Sequence, residues 1–353
     1  MTTDPTTDSV IELTPFELDM QDQPAALEAL VGDAIDAETR ALLTRSWSRI
    51  VLTGMGSSHY VGLPTWRALV GTGRTAWAVD TGELLDNPGL LTPDTLLIAT
   101  SQSGASGEMV ELLDRTASGR AAGAGAVLGI AAAEGSPLAT RSDAFIPLRS
   151  GSEATVSTKS YLNSLVRHHQ LADVLLDRHR TEGVLGTLVE DVIAVLARND
   201  ASGVGDQVLD TAKPRIAAIG KGDSAATALF AGLITKESSK VALEGFVGGE
   251  FRHGPFELAG PGFTAFLYAA GAPQGDPTLP ALARDLIASG ATVYTVGGAP
   301  LPGVHLIDVP TSSSLSALAC SAVVAEQVAV SLARANGVVP GAFVFGSKVT
   351  TAL

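Results

Sequence analysis

Two series of short β-branched runs, each run followed by a longer helical pattern, make up most of this 353-residue chain. In the first series the candidate strands are Ile50-Val51-Leu52, Thr75 to Val79, Thr95 to Thr100, Ala126 to Ala131 and Ala144 to Leu148. In the second they are Arg215 to Ile219, Lys240 to Leu243, Phe263 to Tyr268, Thr292 to Val296 and His305 to Val309. Strands separated by helices cross over right-handedly and pair in parallel, which predicts an α/β fold with helices on both faces of each sheet. Gly54-Met55-Gly56-Ser57-Ser58 follows the first strand of one series, and Gly220-Lys221-Gly222-Asp223-Ser224 follows the first strand of the other. The chain therefore reads as a duplicated unit, with Arg198 to Gly203 as the linker. Ahead of it, residues 1–16 read as a flexible leader and Phe16 to Leu43 as helix, with Pro24 in a first turn.

Composition narrows the class. Hydrophobic residues at 46% against 17% charged fit well-buried domains and not a disordered chain. A net charge of −14 with no basic cluster argues against a nucleic-acid partner. Cys320 is the single cysteine, so disulfide frameworks and thiolate zinc centres are excluded; in the apolar run Leu315 to Leu332 it reads as a small buried hydrophobe. Met1 to Ser9 has neither the basic nor the apolar region of a signal peptide. The longest apolar run, Ala121 to Ala133, is shorter than the roughly 20 residues of a spanning helix. The expectation is a cytoplasmic protein without a membrane partner.

The chemistry concentrates after the third strand. Leu96 to Ala99 runs straight into Thr100-Ser101-Gln102-Ser103-Gly104-Ala105-Ser106, and a helical pattern with Met109, Leu112 and Leu113 on one face follows. A polar turn between strand and helix directs backbone N–H groups and the positive helix end at one spot. Ser101, Ser103 and Ser106 add uncharged donors there, so a phosphate monoester is the natural occupant. The turn Gly56-Ser57-Ser58 is weak evidence alone, because glycine turns of this kind are common for steric reasons. Beside the serine loop it gains weight, since ligands collect at the carboxyl ends of neighbouring parallel strands. Gly151 to Lys159 adds a third hydroxyl-rich loop at the same edge, whereas the second series has Ala269-Ala270-Gly271 in place of the serines. One phosphate pocket per chain is expected.

A second constellation is Lys236-Glu237-Ser238-Ser239 followed by Gly249-Glu250-Phe251-Arg252-His253-Gly254-Pro255. Glu237 ends a small-residue, apolar helical run. Buried, it would hold a raised pKa and serve as a proton shuttle; in solvent, it would simply pair with Lys236 or Lys240. His253 lies in a turn, where a histidine is commonly a surface residue.

These segments together resemble the sugar isomerase (SIS) family, in particular the isomerase half of glucosamine-6-phosphate synthases. Ser101-Gln102-Ser103-Gly104-Ala105-Ser106 is similar to that family's Ser-Gln-Ser-Gly-x-Thr loop, and Gly56-Ser57-Ser58 to its Gly-Thr-Ser turn. Gly151-Ser152-Glu153…Ser157-Thr158-Lys159 resembles its Gly-Thr-Glu…Ser-Thr-Lys loop, one residue shorter. The Glu237 to His253 block, the entry segment Glu17 to Pro24 and the tail Ser347-Lys348-Val349-Thr350 match in order. The resemblance implies two tandem SIS domains, each a five-stranded parallel sheet between helices in a flavodoxin-like three-layer arrangement, at residues 17–200 and 201–340, with 341–353 closing over the site. It further implies catalytic roles for Glu237, His253 and Lys348, and substrate or phosphate contacts from Gly56, Ser57, Ser58, Ser101, Gln102, Ser103, Ser106, Val156, Ser157 and Ser347. The expected partner is a phosphorylated amino sugar, with no cofactor and no metal, in a homodimer whose His253 reaches across the interface. The expected reaction is amino-sugar-phosphate deamination or isomerisation. Fructosamine-6-phosphate deglycation, phosphosugar dehydration and a non-catalytic sugar-phosphate sensor are the alternatives.

Two departures stand out. The synthases' glutaminase domain with its cysteine nucleophile has no counterpart in the sequence, so transfer of ammonia from glutamine is not expected. Ile234 replaces a family lysine, which puts an identical reaction or substrate in doubt.

Overall fold

The computed structural model describes residues 12–117 and 123–351. Among the described residues, ten parallel strands form two sheets. The first contains β1 (Arg49–Thr53), β2 (Ala76–Ala78), β3 (Thr95–Thr100), β4 (Ala126–Ala131) and β5 (Ala144–Pro147), in the order β2-β1-β3-β4-β5. The second contains β6 (Arg215–Gly220), β7 (Leu243–Val247), β8 (Phe263–Tyr268), β9 (Thr292–Val296) and β10 (His305–Ile307), in the order β10-β9-β8-β6-β7. Read from its other edge, the second order repeats the first, so the two units are topological copies. Every residue of β3, β4 and β8 is buried, because a strand covered on both faces has no polar side. Successive residues of β3 enter different cores: Leu96 and Ile98 join one apolar cluster and Leu97 another.

Helices α1 (Pro15–Gln21), α2 (Gln23–Glu28) and α3 (Ala37–Leu43) precede β1, and α4 (Ser57–Tyr60), α5 (Leu63–Gly71), α6 (Thr81–Asp86), α7 (Gly107–Ala117) and α8 (Pro137–Arg141) lie between the strands of the first unit. Then come α9 (Lys159–Leu176), α10 (Leu185–Arg198), α11 (Val204–Leu209), α12 (Ser224–Ser239), α13 (Thr278–Ala288) and α14 (Ser314–Ala335). The turn between α10 and α11 joins the units, but the core runs across it. Leu188, Val192 and Val195 of α10 share one apolar cluster with Leu318, Val324 and Val328 of α14. At 22 residues α14 is long and apolar enough to cross a membrane, and 94% of its most apolar window is buried inside the protein. Burial accounts for its composition, and Cys320 within it is fully enclosed.

Two expectations are corrected. The segment Phe16 to Leu43 is three helices, α1 (Pro15–Gln21), α2 (Gln23–Glu28) and α3 (Ala37–Leu43). Thr14 and Glu17 form a capping box that starts α1, Pro24 stands in the first turn of α2, and Asp36 accepts the Thr39 N–H to start α3. Pro15 and Phe16 thus belong to a helix and not to a leader, with Phe16 fully buried, while residues 1–11 lie outside the described residues. The seventh strand begins at Leu243, not Lys240, because Lys240 adopts the left-handed conformation that caps α12. That strand lacks β-branched residues at its centre because α12 lies directly on it: a Cβ on Gly245 would stand 2.6 Å from the Ala228 carbonyl oxygen.

Glu326, in the middle of α14, is 0% exposed, and the Gln23 side-chain amide donates to its two oxygens at 3.1 and 2.8 Å. Burial pushes this carboxyl well above the usual glutamate value of 4.5. The folded protein therefore binds that proton more tightly than the unfolded chain. The resulting stability is complete below the unfolded value and is lost as pH rises through the folded one. Wild-type melting temperature should fall as pH rises above the ordinary glutamate range, and Glu326→Gln should flatten that slope. Calorimetry showing equal slopes in both proteins would mean that Glu326 does not hold its proton.

Candidate active site

In a sheet of order β2-β1-β3-β4-β5, the crossovers leave β1 and β3 in opposite directions and open a crevice beyond their carboxyl ends. A cavity of about 370 Å³ lies there. Its geometry begins with close contact. A Cβ on Gly54 would be 2.7 Å from the Ser58 carbonyl and 2.8 Å from the Thr100 oxygen, so any side chain would push the two loops apart. Gly56 turns the chain with φ +53°, and α4 starts at Ser57. The Ser57 hydroxyl donates to Ser157 at 3.2 Å, tying the first loop to the third.

After β3, Ser101 Oγ accepts the Gly104 N–H at 3.1 Å and Ser103 Oγ accepts the Ala105 N–H at 3.2 Å. Each hydroxyl is then left to donate outward. Below them, Thr100 Oγ1 meets His168 Nε2 at 3.0 Å. Burial lowers that imidazole to a pKa of about 3, so it stays neutral. The first amide of α7 is taken by the tail: Gly107 N–H donates to the Thr350 carbonyl at 3.0 Å.

The tail is stitched to the end of α12. Gly341 N–H donates to the Ser238 carbonyl, and the Lys240 ammonium donates to the carbonyls of Glu237 and Ala342. This path carries Phe343, Ser347 and Lys348 to the cavity wall. Lys348 Nζ sits 2.7 Å from Glu153 Oε2. The Glu153 side chain is 0% exposed and also accepts Thr158 N–H at 2.7 Å, Thr158 Oγ1 at 3.0 Å, Ser160 N–H at 3.1 Å and Ser160 Oγ at 2.8 Å. It therefore caps α9 and anchors the lysine at once.

Glu237 lines the same cavity from the last turn of α12. Burial pushes its carboxyl above the usual range, against the opposing pull of Lys240, Lys348 and Lys236. The simple surface pair is not what forms: Lys236 Nζ lies 3.6 Å from Glu244, and Lys240 is spent on backbone carbonyls.

Ser57, Ser58, Ser101, Gln102, Ser103, Ser106, Val156, Ser157, Glu237, Ser347 and Lys348 are thus brought together around one cavity. Gly56 shapes the turn without lining it, and His253 is exposed at the end of the single-turn helix Gly248–Arg252, outside the lining within this chain. Sequence reasoning missed the anchoring role of Glu153, whose signal is hydroxyl residues five and seven positions on. It also missed the apolar wall of Met55, Leu233 and Phe343.

Residues 43–173 match the SIS domain family. This chain carries a SIS domain. The second unit repeats the αβα architecture of the first, so the chain is built as two tandem SIS domains. Glutamine–fructose-6-phosphate aminotransferase (isomerizing) of Pyrococcus horikoshii is 32% identical over 248 residues, covering 67% of this chain and 40% of the relative. The chain spans about half the length of the curated relatives it matches, 40–55% of each. The solved C-terminal domain of glucosamine-fructose-6-phosphate aminotransferase from Francisella tularensis superposes with a TM-score of 0.80 at 16% identity, over 94% of this chain and 98% of that one. Glucosamine-6-phosphate deaminase from Thermotoga maritima superposes at 0.72 and 20% identity, over 95% and 99%. At these identities the two likenesses establish the fold.

The serine loop presents uncharged hydroxyl groups to the cavity, the basis for expecting an anion there. Ser103→Ala and Ser106→Ala should each weaken binding of inorganic phosphate by roughly five- to tenfold, the worth of about one hydrogen bond. Titration calorimetry with unchanged affinity in both variants would remove the loop as the anion site.

Proposed function

We propose that this double SIS protein is an amino-sugar-phosphate deaminase or isomerase, converting a substrate such as glucosamine 6-phosphate to fructose 6-phosphate and ammonia. The observation that carries the reading is that Glu237 and Lys348 face the same cavity as the Ser101 to Ser106 loop. The loop holds the phosphate and so fixes the far end of the sugar. Glu237, as carboxylate, takes the proton from C2 of the open-chain aldehyde and returns it at C1 through an enolamine. Water then adds to the resulting imine at C2, and ammonia leaves to give the ketose. The Lys348 ammonium, steered by Glu153, stabilises negative charge developing on the carbonyl oxygen. Ring opening is assigned to His253 of the partner subunit in a homodimer, since the histidine of the same chain is exposed and away from the lining.

The wall of Met55, Leu233 and Phe343 favours a second reading of the same site. Leu233 lies one helical turn before Glu237, where it would meet a substituent on the sugar nitrogen. Release of an amine from a fructosamine 6-phosphate adduct runs the transfer the other way: Glu237 takes the proton from C1 and returns it at C2, water adds to the imine at C1, and the amine leaves to give the aldose.

Incubation with a panel of amino-sugar and fructosamine phosphates separates the two: ammonia with a ketose marks the first reading, and an amine with an aldose marks the second. Glu237→Gln should lower kcat by about a hundredfold or more while leaving phosphate affinity intact. Because burial raises the Glu237 pKa, the wild-type rate should fall as pH drops through a value above the ordinary glutamate range. A Gln variant with the wild-type rate on every substrate would falsify the proton-shuttle assignment.

A further inference from the structure

The entry segment of α1 carries a buried carboxylate that the chemistry above leaves unused. Asp19 is 8% exposed. Its Oδ2 accepts the Ala154 N–H at 2.7 Å, and its Oδ1 lies 3.1 Å from Lys159 Nζ, whose side chain is only 5% exposed. Ala154 and Lys159 bracket a loop in which Thr155, Val156 and Ser157 line the cavity. One carboxylate therefore grips both ends of that loop from outside, while Glu153, the residue before Ala154, grips it from inside through Thr158. Asp22 also meets Lys159, at 2.8 Å, but its side chain is 57% exposed and has no bond to the loop backbone.

The same helix reaches the tail. A Cβ on Gly341 would stand 2.5 Å from Phe16 Cβ, and Glu17 pairs with Arg334 at 2.5 Å. The helix α1 thus touches both the loop that presents Glu153 and the tail that presents Lys348.

We infer that Asp19 is a positioning residue: by clamping the 154–159 loop it fixes Glu153, and through Glu153 it sets where the Lys348 ammonium stands. The inference rests on the proposed function only for the consequence that displacing Lys348 slows turnover. Exchanging the carboxylate for an amide keeps one oxygen to accept the Ala154 N–H but sets an NH2 group against the Lys159 ammonium, so the enclosed lysine is left with the exposed Asp22 alone and pushes on the clamp. The serine loop is formed by β3 and α7, away from this clamp, so anion binding should survive while the lysine wanders. A displacement of this kind falls on kcat more than on KM.

The test is Asp19→Asn beside Asp22→Asn in the full chain. Acylation of Lys348 by an amine-reactive reagent, followed by peptide mass spectrometry, should be several-fold faster in Asp19→Asn. Lys221, paired with Asp276 in the second unit, serves as the standard and should keep its rate. Affinity for inorganic phosphate should stay within about twofold, kcat on glucosamine 6-phosphate should fall about tenfold or more, and Asp22→Asn should resemble wild type. A folded Asp19→Asn protein with wild-type Lys348 labelling overturns the inference, as does equal acceleration at Lys221. If Asp19→Asn does not fold, amide exchange on the wild type decides: protection at Ala154 and Thr158 supports the clamp, and free exchange there overturns it. If wild type turns over no phosphosugar, the function fails while the labelling still judges Asp19.

Discussion

A carboxylate removed from water must be met by donors, and Glu153 is met by five of them. The donors come from parts of the chain far apart in sequence: the start of α9 supplies four, and the tail nearly two hundred residues later supplies Lys348. Satisfying this one group fixes the third loop, begins the longest helix of the first unit and closes the C-terminal segment over the crevice. None of these elements could hold its place alone. The loop has no strand partner, and the tail has no regular structure of its own.

The duplication explains where such a site can form. Both units have a crevice at the point where their strand order turns, but they have treated it differently. In the first, Ser101 and Ser103 turn their acceptors inward and their donors outward. In the second, the equivalent loops bond to each other: Ser224 Oγ accepts the Gly271 N–H at 2.7 Å and Gly271 accepts the Asp223 N–H at 3.2 Å. The second unit contributes instead through α12, whose small, apolar residues let it pack deep against α14 and β7. Its last turn then delivers Glu237 to the neighbouring unit's crevice. One copy supplies the serine loop and the other the carboxyl that lines the same cavity.

Much of this was legible in the sequence because it depends on short-range pattern. Strands buried on both faces announce themselves as apolar runs, and nine of the ten lie where those runs fall. The seventh did not, since Gly245 answers to the helix above it and not to strand propensity. The N-terminal helices read as one because Leu27, Leu30 and Val31 have helical spacing, yet α2 ends at Glu28, Leu30 and Val31 lie in turns, and Gly32 takes φ +79° before α3 begins. That the hydroxyl loop lines a cavity was readable because its residues are contiguous and follow a buried strand. Glu153 and Asp19 were not readable as anchors, because their partners lie at the other end of the molecule and only the packed structure brings them there.

The electrostatics of the cavity follow from this division. The protein carries a net charge of −14, and the serine loop offers a dianion no formal charge in return. Among the residues lining the cavity, Lys348 is the one cation, and it stands with Glu237 and Glu108. A bound phosphate adds negative charge near Glu237, which favours its protonated form on top of the effect of burial. The ammonium groups of Lys240, Lys348 and Lys236 oppose that shift, and Lys348 is the one of the three that lines the cavity. This is why the placement of a lysine by a remote clamp would bear on the chemistry: the proton on Glu237 is balanced between burial on one side and three lysines on the other, of which Lys348 is the one held by Glu153.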